Sequence, residues 1–299
     1  VDRIGIIGIG AMGSGIAKNL LKAGYAVTAF TRGKSTGLEH AASASTRQTV
    51  ARELESAGAT FEANLEALFS QVDTLVICVP SSKDVESILL GPGSLSEMDN
   101  AKVGTVLDFS TAHPESTRKI YTVLKARGID FLDTPMTGSV KEALAGTLRL
   151  IVGGEEPVFR RCEPLLRSVS NLVLYAGPSG SGNLVKLANN FLSILDQAMT
   201  ADISLVLDEN GISPEVYKEF LGKSSANSGG FQLMMYRITT GDFARKFELG
   251  LALKDIGYCA DVFPSVFVDN LFSFLKKASD AGYGGKDIGT MYHYLKESR

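Results

Sequence analysis

The sequence predicts two domains of different class, a doubly wound and mostly parallel α/β sheet followed by an all-helical domain. Three observations carry this expectation. Short apolar, strand-like runs alternate with helical patterns as far as Tyr175. Beyond Gly177-Pro178 the helical patterns continue without a convincing strand. The chain has 299 residues, 44% of them hydrophobic, which is enough for two domains that each bury a core.

Residues 3–7 (RIGII) read as a short buried strand. A glycine turn follows, then a helical pattern over 14–23 that stops at Gly24, then an alternating β-rich run over 25–30. This is a βαβ unit. Residues 33–57 are small, polar and helix-favouring, and read as a surface loop leading into a helix. Helices are expected over 65–70, 83–90, 114–127 and 156–167, the third with Pro114 at its favoured first position. Strands are expected over 74–79, 105–109, 129–132, 148–152 and 172–175. In the second half Leu184, Leu187, Phe191, Ile194 and Leu195 share one helical face, as do Phe247, Leu251, Lys254, Asp255 and Tyr258. The expected domains are therefore residues 1–177 and 178–299.

Composition excludes several functions. A net charge of −3 supplies no positive field for nucleic acid. No apolar run approaches the roughly 18 residues of a membrane span, and no leader pattern precedes residue 3. The cysteines, Cys78, Cys162 and Cys259, are few and dispersed, which suits a reducing cytoplasmic setting. His40, His113 and His293 are equally scattered, and no Cys/His spacing suggests a metal site.

The first motif is Gly8-Ile9-Gly10-Ala11-Met12-Gly13, a G-x-G-x-x-G set between strand and helix. Gly8 allows the tight turn, Gly10 a close approach of backbone to pyrophosphate, and Gly13 close helix packing. Such a turn presents a helix N-terminus to a dinucleotide and points to a Rossmann-type domain. NAD sites place an acid about 20 residues on, to accept from the ribose 2′-hydroxyl. Here the second strand ends Phe30-Thr31-Arg32, without an acid. A guanidinium suits a 2′-phosphate, so Thr31 and Arg32 favour NADP(H) over NAD(H), with Lys34 and Ser35 nearby.

Further segments fit one pattern. They are Asp108-Phe109-Ser110-Thr111 with Pro114; Asp133-Thr134-Pro135-Met136-Thr137-Gly138-Ser139 with Gly146-Thr147-Leu148 and Val152-Gly153-Gly154; and Gly180-Ser181-Gly182 leading to Lys186 and Asn190. Phe247 with Lys254-Asp255 completes the set. With these segments the chain resembles the β-hydroxyacid dehydrogenase family, which includes 3-hydroxyisobutyrate dehydrogenase and tartronate and other semialdehyde reductases.

Lys186 and Asn190 are four apart on one expected helix, so they share a face. Lys186 lies close to that helix's start, where the dipole and desolvation both lower an ammonium pKa. The resemblance implies that Lys186 exchanges the proton of the substrate hydroxyl and that Asn190 orients substrate or lysine. It implies that Ser110, Thr137, Gly138 and Ser139 hold the anionic end of a small hydroxy acid or its carbonyl partner. Val79, Pro80 and Thr111 would line the nicotinamide side, and Lys254 would close over the cofactor. It also implies a homodimer or homotetramer.

Thr137 and Ser139 stand where the family commonly has Ser and a second Gly, so a tighter pocket is expected. Lys141 offers a cation beside it. Two other functions fit the glycine turn, a catalytically silent dinucleotide-binding protein and an imine reductase of the same plan. Neither needs the Lys186/Asn190 pair.

Overall fold

Residues 2–31 and 44–299 are described in the computed structural model of this chain. The first expected strand forms as β1 (Arg3–Ile7), followed by α1 (Ala11–Lys22) and β2 (Ala26–Phe30). Next come α2 (Ala44–Ser56), β3 (Thr60–Glu62), α3 (Leu65–Phe69), β4 (Thr74–Ile77) and α4 (Ser82–Leu90). The alternation continues through β5 (Thr105–Asp108), α5 (Pro114–Ala126), β6 (Asp130–Asp133), β7 (Met136–Thr137) and α6 (Val140–Ala145). It closes with β8 (Leu148–Gly153), α7 (Glu156–Ser168) and β9 (Ser170–Gly177).

The sheet runs β3-β2-β1-β4-β5-β6 with every pair parallel. That is the nucleotide-binding order, with its reversal point between β1 and β4. Beyond β6 the sheet turns antiparallel at β8, which meets β6 at Asp133↔Gly153 and β7 at Met136↔Leu150, while β9 pairs parallel to β8. The mostly parallel, doubly wound architecture expected from the sequence is the one observed.

Burial follows the strand period. Val76, Leu107 and Leu132 enter one core, with Ile16 and Leu20 of α1. Their neighbours Leu75, Ile77, Val106 and Phe131 enter the other, with Ile88 of α4 and Ile120 of α5. Alternate residues of each strand thus point to opposite faces, both buried, as a sheet covered by helices on both sides requires.

From Ser181 the chain is helical among the described residues: α8 (Ser181–Glu209), α9 (Pro214–Leu221), α10 (Gly229–Thr240), α11 (Leu249–Val262), α12 (Val266–Ala278) and α13 (Met291–Ser298). The chain divides into two compact units, Val1–Lys186 and Leu187–Arg299. The second has its own core, built around Leu187, Ile194, Met234, Ile256, Leu271 and Met291.

Several elements differ from expectation. α1 begins at Ala11, not Ser14, because Gly13 lets the first turn lie directly on the Gly8 carbonyl. β3 and β7 have three and two residues, too short for a periodicity to register. α6 stands inside what reads as the substrate loop. Its Ser139 side chain accepts from the Glu142 N–H while the Glu142 side chain accepts from the Ser139 N–H. This is an S-x-x-E capping box, a pattern the local sequence carries by itself.

α6 packs closely on α1 and is hydrogen-bonded to it through Asn19. The buried Asn19 amide donates to Gly15 O and Ala143 O, both at 2.8 Å. A Cβ on Gly15 would lie 2.6 Å from the Ala143 carbonyl carbon. Replacing Asn19 with Leu leaves the Ala143 carbonyl without this donor. Denaturant unfolding of Asn19→Leu is therefore expected to show a loss of about 1–3 kcal/mol.

Candidate active site

The glycine turn joins β1 to α1. Gly8 has φ +99°, and a Cβ there would overlap the Cys78 carbonyl of the neighbouring strand. A Cβ on Gly13 would overlap the Gly8 carbonyl. Gly10 is exposed, with nothing within 4 Å of where its Cβ would be. The two outer glycines are thus demanded by the protein itself, whereas Gly10 keeps an open surface clear. No acid stands in the first turn of α1, and the first intrahelical bond runs from Ser14 N to Gly10 O. The N–H groups of Ala11, Met12 and Gly13 precede it and suit an anion. This turn fits a pyrophosphate. Behind it, burial pushes the Cys78 thiol up to about 12.

Thr31 follows β2, its N–H donating to Glu62 O at 2.9 Å. Arg32, Lys34 and Ser35 lie outside the described residues. At the ends of β4 and β5, Val79 N donates to Ser110 Oγ at 3.0 Å, and Ser110 N to Asp108 Oδ1 at 2.9 Å. Ser110 is buried, Val79 and Thr111 are half-buried and Pro80 is exposed. Having accepted from Val79, the Ser110 hydroxyl keeps its own hydrogen for donation.

The half-buried Lys186 meets the end of β7, its Nζ 3.4 Å from Thr137 Oγ1. The structure thus brings together two residues 49 positions apart that the sequence assigned to one site. Gly138, beside Thr137, has φ +150° and is exposed. Ser139 is engaged differently from expectation. Its N–H goes to Glu142 Oε2 at 2.7 Å and its Oγ accepts from Glu142 N, leaving only its O–H for a ligand. Glu142 also pairs with Arg149 at 2.8 Å, whereas Lys141 is exposed.

Two residues that carried no role at the sequence level hold the start of α8. The Asp133 carboxylate is fully buried. It accepts from Gly180 N at 2.8 Å and Asn183 N at 2.9 Å, with the Gly182 N–H also bonded to it. Burial pushes this carboxyl above the usual range, and the N–H groups act against that shift. The Asn183 side chain, also fully buried, accepts from Ala112 N at 2.9 Å and donates to Thr117 Oγ1 at 3.1 Å.

In the second unit Asn190 Nδ2 donates to Asp255 Oδ2 at 2.7 Å, and Asn189 Nδ2 donates to Asn190 Oδ1 at 3.1 Å. The other Asp255 oxygen pairs with Lys254 Nζ at 2.9 Å, and that ammonium lies 5.0 Å from the Tyr258 ring centroid. The α11 entry is held by Asp287, whose carboxylate is buried. It accepts from Lys246 N, Phe247 N and Gly289 N, and pairs with Arg237 Nε at 2.9 Å. Among the described residues no cluster of His, Cys, Asp or Glu is placed to hold a metal. No helix there is long and apolar enough to cross a membrane.

Residues 3–177 match the family model of the NAD-binding domain of 6-phosphogluconate dehydrogenase. Residues 180–295 match that described as the NAD-binding of NADP-dependent 3-hydroxyisobutyrate dehydrogenase. The chain belongs to the β-hydroxyacid dehydrogenase family. It is 35% identical to a 2-(hydroxymethyl)glutarate dehydrogenase of Eubacterium barkeri, over 85% of this chain and 80% of that one. It is 30% identical to a 3-hydroxyisobutyrate dehydrogenase of Pseudomonas aeruginosa, over 96% of both. Its fold is similar to a crystal structure of 3-hydroxyisobutyrate dehydrogenase from Salmonella typhimurium. The TM-score is 0.83 at 25% identity, over 98% of this chain and 100% of that one. This family member is an NAD(P)-dependent oxidoreductase acting on CH–OH groups.

The asymmetry among the turn glycines is testable. Gly10→Ala is expected to keep the wild-type melting temperature and lose nucleotide affinity in a fluorescence titration. Gly13→Ala is expected to lose both, because its Cβ meets backbone that cannot yield.

Proposed function

We propose that the enzyme transfers a hydride between NADP(H) and a small 3-hydroxy acid or its semialdehyde, with Lys186 as general acid and base. The observation that carries this reading is Lys186 Nζ at the hydroxyl of Thr137, the last residue of β7. The nicotinamide, when bound, supplies or accepts the hydride. In reduction Lys186 gives its proton to the carbonyl oxygen as the carbonyl carbon is reduced, and in oxidation it takes the proton from the hydroxyl.

Ser110 and Thr137 are assigned to the substrate's anionic end. Each has an oxygen already accepting from the protein and an O–H left to donate. Gly138 and the Ser139 hydroxyl complete the set. Asn190 is assigned to substrate or lysine, with its amide orientation set by Asp255, since a carboxylate accepts only from the NH₂. Gly8, Gly10, Ala11, Met12, Gly13, Thr31, Arg32, Val79, Pro80, Thr111 and Lys254 are assigned to the cofactor. The preference for NADP(H) rests on Arg32, and on the absence of an acid after β2.

We also infer a homodimer or homotetramer. Leu192, Met199 and Ile203 of α8 and Leu233 of α10 are at least half exposed, and a second copy of the chain would cover such apolar side chains. The dispersed cysteines favour a cytoplasmic enzyme.

A screen of small semialdehydes with NADPH, followed by nicotinamide absorbance, identifies the best substrate. With it, Lys186→Ala is expected to lower kcat by about 10²–10⁴-fold, the usual worth of a general acid, and to leave NADPH affinity nearly unchanged. Wild-type turnover in that variant rejects the mechanism. Separately, Arg32→Asp is expected to lower kcat/KM for NADPH and reverse the cofactor preference. Equal use of NADH and NADPH by the wild type rejects the arginine's role.

A further inference from the structure

We infer that Asp133 is a positioning residue for Lys186: its buried carboxylate and the Asn183 side chain set the start of α8 against the sheet, and so place the lysine at the substrate loop. This deepens the proposed function and rests on Lys186 being the proton-transfer group.

The first support is the origin of the cap. Helix N-termini are ordinarily capped by a residue at the helix start. Here the acceptor comes from the end of β6, 47 residues before Gly180. A local cap would stabilise α8 without fixing it to anything, whereas a strand residue fixes it to the sheet. β6 is paired in register to β5, with Asp133 opposite Asp108, so the anchor sits on a braced strand. The same residue begins the run that reaches Thr137 four positions later. One anchor thus holds both partners of the Lys186–Thr137 contact.

The second support is the space around the carboxylate. A Cβ on Gly153 would lie 2.6 Å from Asp133 Oδ1, and a Cβ on Gly182 2.8 Å from Oδ2. The carboxylate is wedged between two backbones that only glycine permits, so the distance from strand to helix has no slack. A third support is the second tether. Asn183 joins the same turn to Ala112 and Thr117, in the segment that follows Ser110 and Thr111. Two tethers to different strand ends fix the rotation of the helix as well as its height. Lys186 is three residues past Asn183, within one turn, and inherits that rotation.

The test is a double-mutant cycle on hydride transfer, with NADPH titration as a separate readout of the folded domain. Asp133→Asn puts an NH₂ where N–H groups need an acceptor, and Asn183→Ala removes the second tether. Each is expected to lower kcat about tenfold or more, with a much smaller change in KM or NADPH affinity. In a Lys186→Ala background the same changes are expected to have almost no effect on the residual single-turnover rate, because the group they position is absent.

An equal fold-drop in both backgrounds overturns the inference, as does a normal kcat in either single variant. Loss of NADPH binding in Asp133→Asn would signal misfolding, and the Asn183→Ala cycle then decides alone by the same criterion. If Lys186→Ala itself turns over normally, the proton-transfer reading fails first and this inference with it. If Lys186→Ala is inactive and the cycle is additive, only the positioning role fails.

Discussion

At the end of a central strand, a carboxylate with no access to water accepts the N–H groups that begin the longest helix of the chain. Burying an acid is costly unless hydrogen bonds replace its hydration. The Gly180, Gly182 and Asn183 N–H groups do so for Asp133, and they are themselves groups that a helix start would otherwise leave unmet. Each side thus satisfies the other's need. The constraint explains local sequence on both sides: glycine at 153 and 182, asparagine at 183, and Lys186 at a set distance beyond them.

The parallel order gathers the rest. Gly8, Val79, Ser110 and Thr134 all follow the carboxyl ends of parallel strands, on either side of the point where strand order reverses. Ligands of open α/β sheets bind at that edge. In the second unit Asp287 treats the entry to α11 much as Asp133 treats α8. Its carboxylate gathers backbone N–H groups from two segments, with Arg237 supplying the counter-charge. Removing one partner of such a buried pair costs several kcal/mol, about 3–5 in typical cases, so this is a point of rigidity rather than adjustment.

Legibility in the sequence tracked the range of the interactions. Gly8, Gly10 and Gly13 were readable because their work is done within a few residues of a strand and a helix. Pro114 marked its helix for the same reason, and the change of character after Gly177-Pro178 marked the passage to helices. Lys186 and Asn190 stood out through spacing and resemblance. Asp133 opens one of the recognised segments, but its role and that of Asn183 are not legible there, because their partners are 47 to 71 residues away. Asp255 looked like half of a Lys-Asp pair, and its bond to Asn190, 65 positions earlier, had no sequence signal. Ser139 is the opposite case. Its S-x-x-E pattern is local, and the cap it forms is complete within four residues.

The cysteine behind the cofactor turn carries a chemical consequence. Only a thiolate attacks peroxides or disulfides. With its thiol pushed up to about 12, Cys78 stays protonated at any physiological pH. Cys259, buried in the helical unit, is held equally high. Sulfur at these two places packs as a small apolar group. Neither of these two thiols is therefore placed to act as a nucleophile.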